Sequence, residues 1–403
     1  MREARGEVLS AERPSLSRSA AITFVVLLGV MSLLADLTYE GARSVSGPYL
    51  AILGASATVV GIAAGLGELV GYTVRLLSGY LADRTGRYWA TTILGYTVNL
   101  LAVPLLALAG HWAVAAGLIV AERVGKAIRT PARDAMLSHA TRQTGRGWGF
   151  GLHEAMDQVG AVLGPLSVAG VLALQGQYQL AFALLLLPAL AALGTLLVAR
   201  QLYPRPRDFD PTSPTLDPQG LPRAFWLYLV AAALVAAGYA DFALIAYHFE
   251  QQAVLPAPAI PLLYALAMAI DAVAALLFGW LFDRFGLAVV GGAVVLSAGF
   301  APLVFSGSAG LALIGMALWG AGMGAQESVL RAAVAELVPS ARRGTGYGLF
   351  NSGYGVCWFL GSAVMGVLYD RSVTLLAVFS VVAQLSALPV LMGLLRQRPH
   401  APS

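Results

Sequence analysis

Lysine and cysteine each occur once in 403 residues. A lone Cys357 inside an apolar run excludes an intramolecular disulfide framework and a thiolate metal cluster. Charge of either sign is scarce too: only 11% of residues are Asp, Glu, Lys or Arg, against 58% hydrophobic, and the mean hydropathy is +0.74. That balance excludes a set of soluble domains. The net charge of +4 does not point to nucleic acid, because the basic residues sit in short segments between apolar runs and form no basic face. The sequence also lacks a Ser/His/Asp or Cys/His pattern and an ATP-binding domain. "GRGWGFG" at 145–151 imitates a phosphate-cradling loop, but it follows no strand and lacks the Lys-Ser/Thr step of a nucleotide site. No enzyme and no cofactor are expected.

What fills the chain is a succession of apolar runs, each long enough for the roughly 20 residues that a crossing helix requires. They predict an all-α membrane protein with helices near 20–44, 55–79, 89–109, 111–137, 148–172 and 177–200, then near 223–250, 258–281, 287–306, 309–337, 345–369 and 373–395. The first run is too extended for a signal-peptide core and is read as a retained helix. Six prolines with several Asp and Arg make 201–222 a polar linker, so a bundle at 20–200 and a bundle at 223–395 are expected, flanked by tails at 1–19 and 396–403. If the N-terminus is cytoplasmic, Arg84, Arg87, Arg142, Arg146, Arg205, Arg207, Arg284, Arg342, Arg343, Arg396 and Arg398 share that side. The opposite side keeps Arg43 and Arg371, which sets the orientation with both termini inside.

The halves repeat one another. "RGWGFGL" before the fifth helix matches "RGTGYGL" before the eleventh, and Asp36 and Asp241 lie at similar depths in the first and seventh helices. "GYLADRTGR" at 79–87 returns as "GWLFDRFG" at 279–286. Paired halves with a site between them are the architecture of secondary transporters.

The stretch at 79–87 resembles the signature of the major facilitator superfamily between its second and third helices. Gly79, Asp83, Arg84, Gly86 and Arg87 match, with Tyr88 in place of a final basic residue; the second copy keeps Gly279, Asp283, Arg284 and Gly286. The resemblance implies twelve helices in two pseudo-symmetric six-helix bundles, alternating access and a cytoplasmic latch. In that latch Asp83 would face the positive end of a helix from the other half, worth about 0.3–1 kcal/mol, and Arg87 would pair with Asp134. "GAVLGP" at 160–165 is similar to the fifth-helix element of the family's proton-antiporting exporters through Gly160, Gly164 and Pro165, although Val168 and Ala169 replace its later glycine pair. Close packing of small residues explains Gly160 and Gly164 equally well.

Ionisable groups at membrane depth cost about 2.5 kcal/mol or more, so each requires a partner, a wet cavity or a function. Asp36 and Glu40 lie one turn apart in the outer half of the first helix. Glu122, Lys126, Arg129 and Arg133 share a face of the fourth, where Lys126 is expected to pair with Glu122. The family often carries a functional arginine in this helix, and Arg123 is the nearest equivalent. His153 and Asp157 stand one turn apart beside Glu154, a spacing compatible with a divalent metal or with proton exchange. Glu68, Asp241, Asp271 and the pair Glu327 and Arg331 complete the set. Asp36, Glu40, Glu122 and Asp157 are the candidates for proton or cargo contact. The expected protein is an inner-membrane transporter exporting a small organic, amphiphilic or cationic compound against protons, working as a monomer in the bilayer without nucleic acid. A divalent-metal exporter using Asp36, Glu40, His153 and Asp157, and a sensor without transport, are the alternatives.

Overall fold

A computed structural model describes residues 18–144, 146–204, 220–339 and 343–396. Most of the expected linker 201–222, most of the tail 1–19, the tail beyond Arg396, and Arg205, Arg207, Arg342 and Arg398 lie outside them. Among the described residues there is no strand, and twelve helical spans follow one another. These are α1 (Arg18–Ile52), α2 (Ala57–Thr85), α3 (Tyr88–Leu108), α4 (Trp112–Thr144), α5 (Arg146–Gln175) and α6 (Tyr178–Leu202). The second set is α7 (Arg223–Gln251), α8 (Ala259–Phe285), α9 (Ala288–Val304), α10 (Ala309–Leu337), α11 (Arg343–Arg371) and α12 (Val373–Arg396). Ten spans are long and apolar enough to cross a bilayer. Of the other two, α9 is short and apolar, and α4 carries Glu122, Arg123, Lys126, Arg129 and Arg133. Charges of that density are tolerated only when turned from lipid.

The helices outrun the sequence expectation, most consequentially in α1, which continues through Pro48 to Ile52. Arg43 therefore does not mark the outer surface as expected; it lies inside the membrane-spanning part of α1. Close packing fixes α1 against α5. A Cβ on Gly164 would come within 2.8 Å of the Gly41 backbone nitrogen, and one on Gly160 within 3.0 Å of the Asp36 side chain. Small residues at these positions let two backbones meet, the van der Waals packing on which membrane helices depend.

The span α7 is not continuous: Tyr239 to Asp241 leave the helix, and Asp241 caps the second segment by accepting from the Ala243 amide at 3.0 Å. Carbonyls freed by such a break must be satisfied inside the protein. Gly238 O accepts from Ser380 Oγ at 2.5 Å and Gln384 Nε2 at 3.2 Å, and Ala240 O accepts from Trp319 Nε1 at 2.9 Å.

The two motif glycines end helices. Gly86 takes φ +62° after α2 and Gly286 takes φ +59° after α8, a region that favours glycine. The repeat at 79–87 and 279–286 thus has a local backbone cause in both copies. We call this the loop end of the molecule.

At the far end the halves meet. Asp370, at the end of α11, accepts from the Ala57 and Thr58 amides at 3.0 and 2.9 Å and from Thr58 Oγ1 at 2.5 Å. Ser56 takes the Val59 amide. Three of the four amide donors that the first turn of α2 leaves open are so satisfied, two of them by the opposite half. Tyr247 Oη donates to Ala55 O at 3.2 Å, and Tyr178 Oη donates to Glu250 at 3.0 Å.

Candidate functional site

Between the halves lies a cavity of about 510 Å³. It reaches from the level of Asp36 and Trp319 toward Asp134, Leu137, Phe150 and Phe350 on the loop side. Asp36 and Glu40 lie at mid-depth in α1 rather than in its outer half, because α1 extends further than expected.

A chain of ion pairs runs along the cavity wall, with Glu40, Arg43, Glu68 and Arg123 lining it. Arg43 sits 3.2 Å from Asp241, 3.8 Å from Glu68 and 3.9 Å from Glu40. Glu68 lies 3.4 Å from Arg123, which lies 3.3 Å from Glu122. Asn99 Nδ2 closes the chain by donating to Glu122 Oε1 at 2.7 Å. The chain crosses between halves at Arg43–Asp241 and again where Tyr264 Oη donates to Glu40 at 2.5 Å. Lys126 does not pair with Glu122 as helical spacing suggested; its ammonium is 3.9 Å from Glu40 and 4.0 Å from the centre of the Tyr39 ring. Glu122 is instead engaged by Arg123 and Asn99, which leaves Lys126 to the neighbouring helix.

A second group lies nearer the loop end. Arg133 is 2.8 Å from Asp134, 3.9 Å from Asp157 and 3.1 Å from Ser32 Oγ. Asp134 is thus held by Arg133, not by Arg87, which is exposed in this conformation. His153 Nδ1 lies 3.4 Å from Asp157, and Arg129 is buried with its guanidinium donating to Tyr96 Oη at 2.6 Å. Buried atoms of and beside this group that find no hydrogen-bond partner include Asp36 Oδ1, Arg129 Nε, Asp157 Oδ1 and His153 Nε2.

The last six helices supply a different wall. Met268, Asp271, Trp319, Met323, Tyr354 and Trp358 line the cavity there, with Gln326 and Glu327. Glu327 falls in a π-helical turn, Gln326–Leu330, which widens α10 where it meets the cavity, a device frequent at functional sites. The side chains of Arg331 and Asp83 lie outside the described residues, so the Glu327–Arg331 pair and the contact of Asp83 stay expectations. Glu154 lines the mouth from α5. Asp241 and Glu122 do not line the cavity. Arg84 is exposed and donates to Tyr80 Oη at 3.3 Å; Asp283 and Arg284 are exposed at the end of α8, and Gly79 packs on Pro131 while Gly279 faces open space. Among the described residues, no three His, Cys, Asp or Glu side chains converge as a metal site. Of the four residues considered for a metal, Glu40 is held by Tyr264 and two cations, and Asp157 by His153 and Arg133.

Sequence reasoning missed Asn99, Tyr39, Tyr96 and Tyr264, which complete the charged groups, and the rings of Trp319, Tyr354 and Trp358. A single Asn in an apolar helix was a usable signal; aromatic residues in an apolar chain were not.

Comparison with known proteins places this architecture. Residues 20–362 match the family described as Major Facilitator Superfamily. The chain belongs to that superfamily. It is accordingly a multi-pass membrane transporter rather than an enzyme, built for secondary active transport. An uncharacterised protein of Mycobacterium tuberculosis is 46% identical over 404 residues, covering 98% of this chain and 97% of the relative. An uncharacterised MFS-type transporter of Methanocaldococcus jannaschii is 28% identical over 386 residues, covering 92% and 93%. Among solved structures, a bacterial homologue of the human lysosomal transporter Spinster, inward-facing and unoccupied, superposes with a TM-score of 0.75 at 15% identity, covering 97% of this chain and 100% of that one. The nucleoside transporter NupG superposes with a TM-score of 0.73 at 14% identity, covering 91% and 99%. At such identities the likeness shows the fold alone.

Proposed function

We propose that this transporter couples the export of a small organic, cationic or amphiphilic compound to proton entry across the inner (plasma) membrane. The chain would act as a monomer with both termini cytoplasmic. The observation that carries the reading is the buried, partnerless Oδ1 of Asp36, which lines the cavity within electrostatic reach of Asp157, Lys126 and Arg129. A carboxylate oxygen left without a donor out of water bears a desolvation penalty that a bound proton or cationic cargo removes. Asp36 is therefore the proton-exchanging group, and Asp157, which keeps its own Oδ1 open while paired with His153 and Arg133, is its acidic neighbour. Glu40 and Glu122, fully engaged by Tyr264, Asn99 and neighbouring cations, act as fixed counter-charges.

In this cycle the closed far end faces outward and the cavity faces the cytoplasm. Cargo enters from the loop side; the halves then rock until the Asp370 cap and the Arg43–Asp241 contact part, and the latch at Asp83 and Gly86 forms on the opposite face. Each contact made in one state alone biases the equilibrium between the two.

Proteoliposomes with an acidic lumen and a trapped pH dye test the reading. External ethidium is expected to raise the lumenal pH in the presence of the protein, and Asp36→Asn to abolish the response. A lumenal pH indifferent to ethidium, or a response unaltered by Asp36→Asn, contradicts it.

A further inference from the structure

Outside both ion-pair groups lies a buried carboxylate of the last six helices. Asp271 on α8 is 2% exposed, lines the cavity and keeps an Oδ1 without a hydrogen-bond partner. The charged groups acting on it most strongly, Glu327 on α10, Glu154 on α5 and Glu40 on α1, are all acidic, whereas Asp36 feels Lys126 and Arg129 as well as Asp157. Gln158 on α5 stands within side-chain hydrogen-bonding reach of the carboxylate and leaves its own Oε1 unpartnered. Two acceptor oxygens, buried and unfilled, thus flank one point of the wall.

Aromatic rings stand behind that point. Tyr239, within electrostatic reach of both Asp271 and Glu327, packs against Trp319 at 5.9 Å and Trp358 at 5.7 Å between ring centres, and Tyr354 lies 5.6 Å from Trp358. Trp319, Tyr354 and Trp358 all line the cavity. Ring faces attract a cation, most strongly where water is excluded, and a carboxylate supplies the charge that the rings lack.

We propose that Asp271, with Glu154, Glu327 and the ring cluster of Trp319, Tyr354 and Trp358, forms a subsite for an organic cation bearing an aromatic or apolar body. The inference deepens the transport reading, since it rests on the cavity holding cargo, but it is independent of proton coupling. Gln158 and Glu154 come from the first six helices and Asp271 from the last six, so a bound cation touches both halves. A proton alone would neutralise Asp271 without using the rings; the aromatic side chains lining the cavity are what favour an organic cation over a proton or metal.

The test is equilibrium binding to the full chain in lipid nanodiscs at fixed pH without a gradient. The probe is tritiated 1-methyl-4-phenylpyridinium, whose charge is permanent; the neutral 4-phenylpyridine N-oxide, of similar shape, is the competitor. Wild type is expected to bind the cation saturably and the N-oxide to compete at least about tenfold more weakly. Asp271→Asn is expected to weaken binding about tenfold or more, while Asp271→Glu keeps most of it. If Asp271→Asn fails to fold, Glu327→Gln, at an exposed position, takes its place with an expected loss of about threefold. No saturable binding by wild type, equal competition by the N-oxide, or unchanged binding in the folded variant overturns the subsite. Ethidium-driven proton movement that persists with no 1-methyl-4-phenylpyridinium binding would sink this inference while leaving the transport reading intact.

Discussion

The two walls of the cavity come from halves that repeat each other in sequence, yet they handle charge in opposite ways. The wall from α1, α2, α4 and α5 gathers Asp, Glu, Arg and Lys into connected groups in which most carboxylates meet a cation within 4 Å. The wall from α8, α10 and α11 carries Asp271 and Glu327 among methionine and aromatic side chains. A compensated network tolerates burial and rearranges between states; a buried carboxylate oxygen without a donor, as on Asp271, stays costly until something positive arrives. The duplicated backbone therefore supplies the moving frame, and the divergence of its side chains supplies the chemistry.

The comparison breaks most visibly at Arg43. Arg43→Ala leaves Glu40, Glu68 and Asp241 facing one another without their shared cation, and about 3–5 kcal/mol of stability is expected to go. A large fall in melting temperature and in the monodisperse yield after detergent extraction would record it, and adding Asp241→Asn should restore part of the loss. The opposite sign is expected on the other wall. Asp271→Leu, of similar volume, removes a buried carboxylate whose Oδ1 has no partner, at the cost of its contact with Gln158, and should raise stability by about 1 kcal/mol, read as a higher melting temperature, while lowering cation binding. A melting temperature lowered by that substitution would show that Asp271 is compensated after all.

A smaller effect is expected at the far end, where Asp370 caps α2 from the other half. Asp370→Asn should cost the closed state about 0.5–2 kcal/mol. With Cys357 replaced by Ser and spin labels at Ile52→Cys and Gln251→Cys, the population of wide label separations should increase. The smallest change belongs to the rings: Trp358→Phe weakens the cation attraction by about 0.5–1 kcal/mol, a two- to fivefold loss in 1-methyl-4-phenylpyridinium affinity.

The fold was largely legible because hydrocarbon imposes one rule on every crossing: about 20 apolar residues and a self-satisfied backbone. Helix number and order followed from it, whereas α2 and α8 run on past the expected ends near 79 and 281 and stop at the glycines at 86 and 286. The break at Tyr239 to Asp241 was not legible. Ser380, Gln384 and Trp319, which repair it, come from α12 and α10, far along the chain. Partnering within the site was legible only in part, since sequence spacing shows neighbours on one helix. Lys126 is drawn to Glu40 on another helix, Asp134 to Arg133, and Arg43 into the interior by the two extra turns of α1. His153 and Asp157, which pair along one helix, were found where spacing put them.

The most direct measurement of the central claim is counterflow in proteoliposomes without a pH gradient. Vesicles are loaded with unlabelled 1-methyl-4-phenylpyridinium and diluted into the tritiated compound. Transient accumulation of label above its equilibrium level, present with wild type and absent with Asp271→Leu, is the predicted result. Label uptake matching protein-free vesicles would contradict the claim that this cavity carries organic cations.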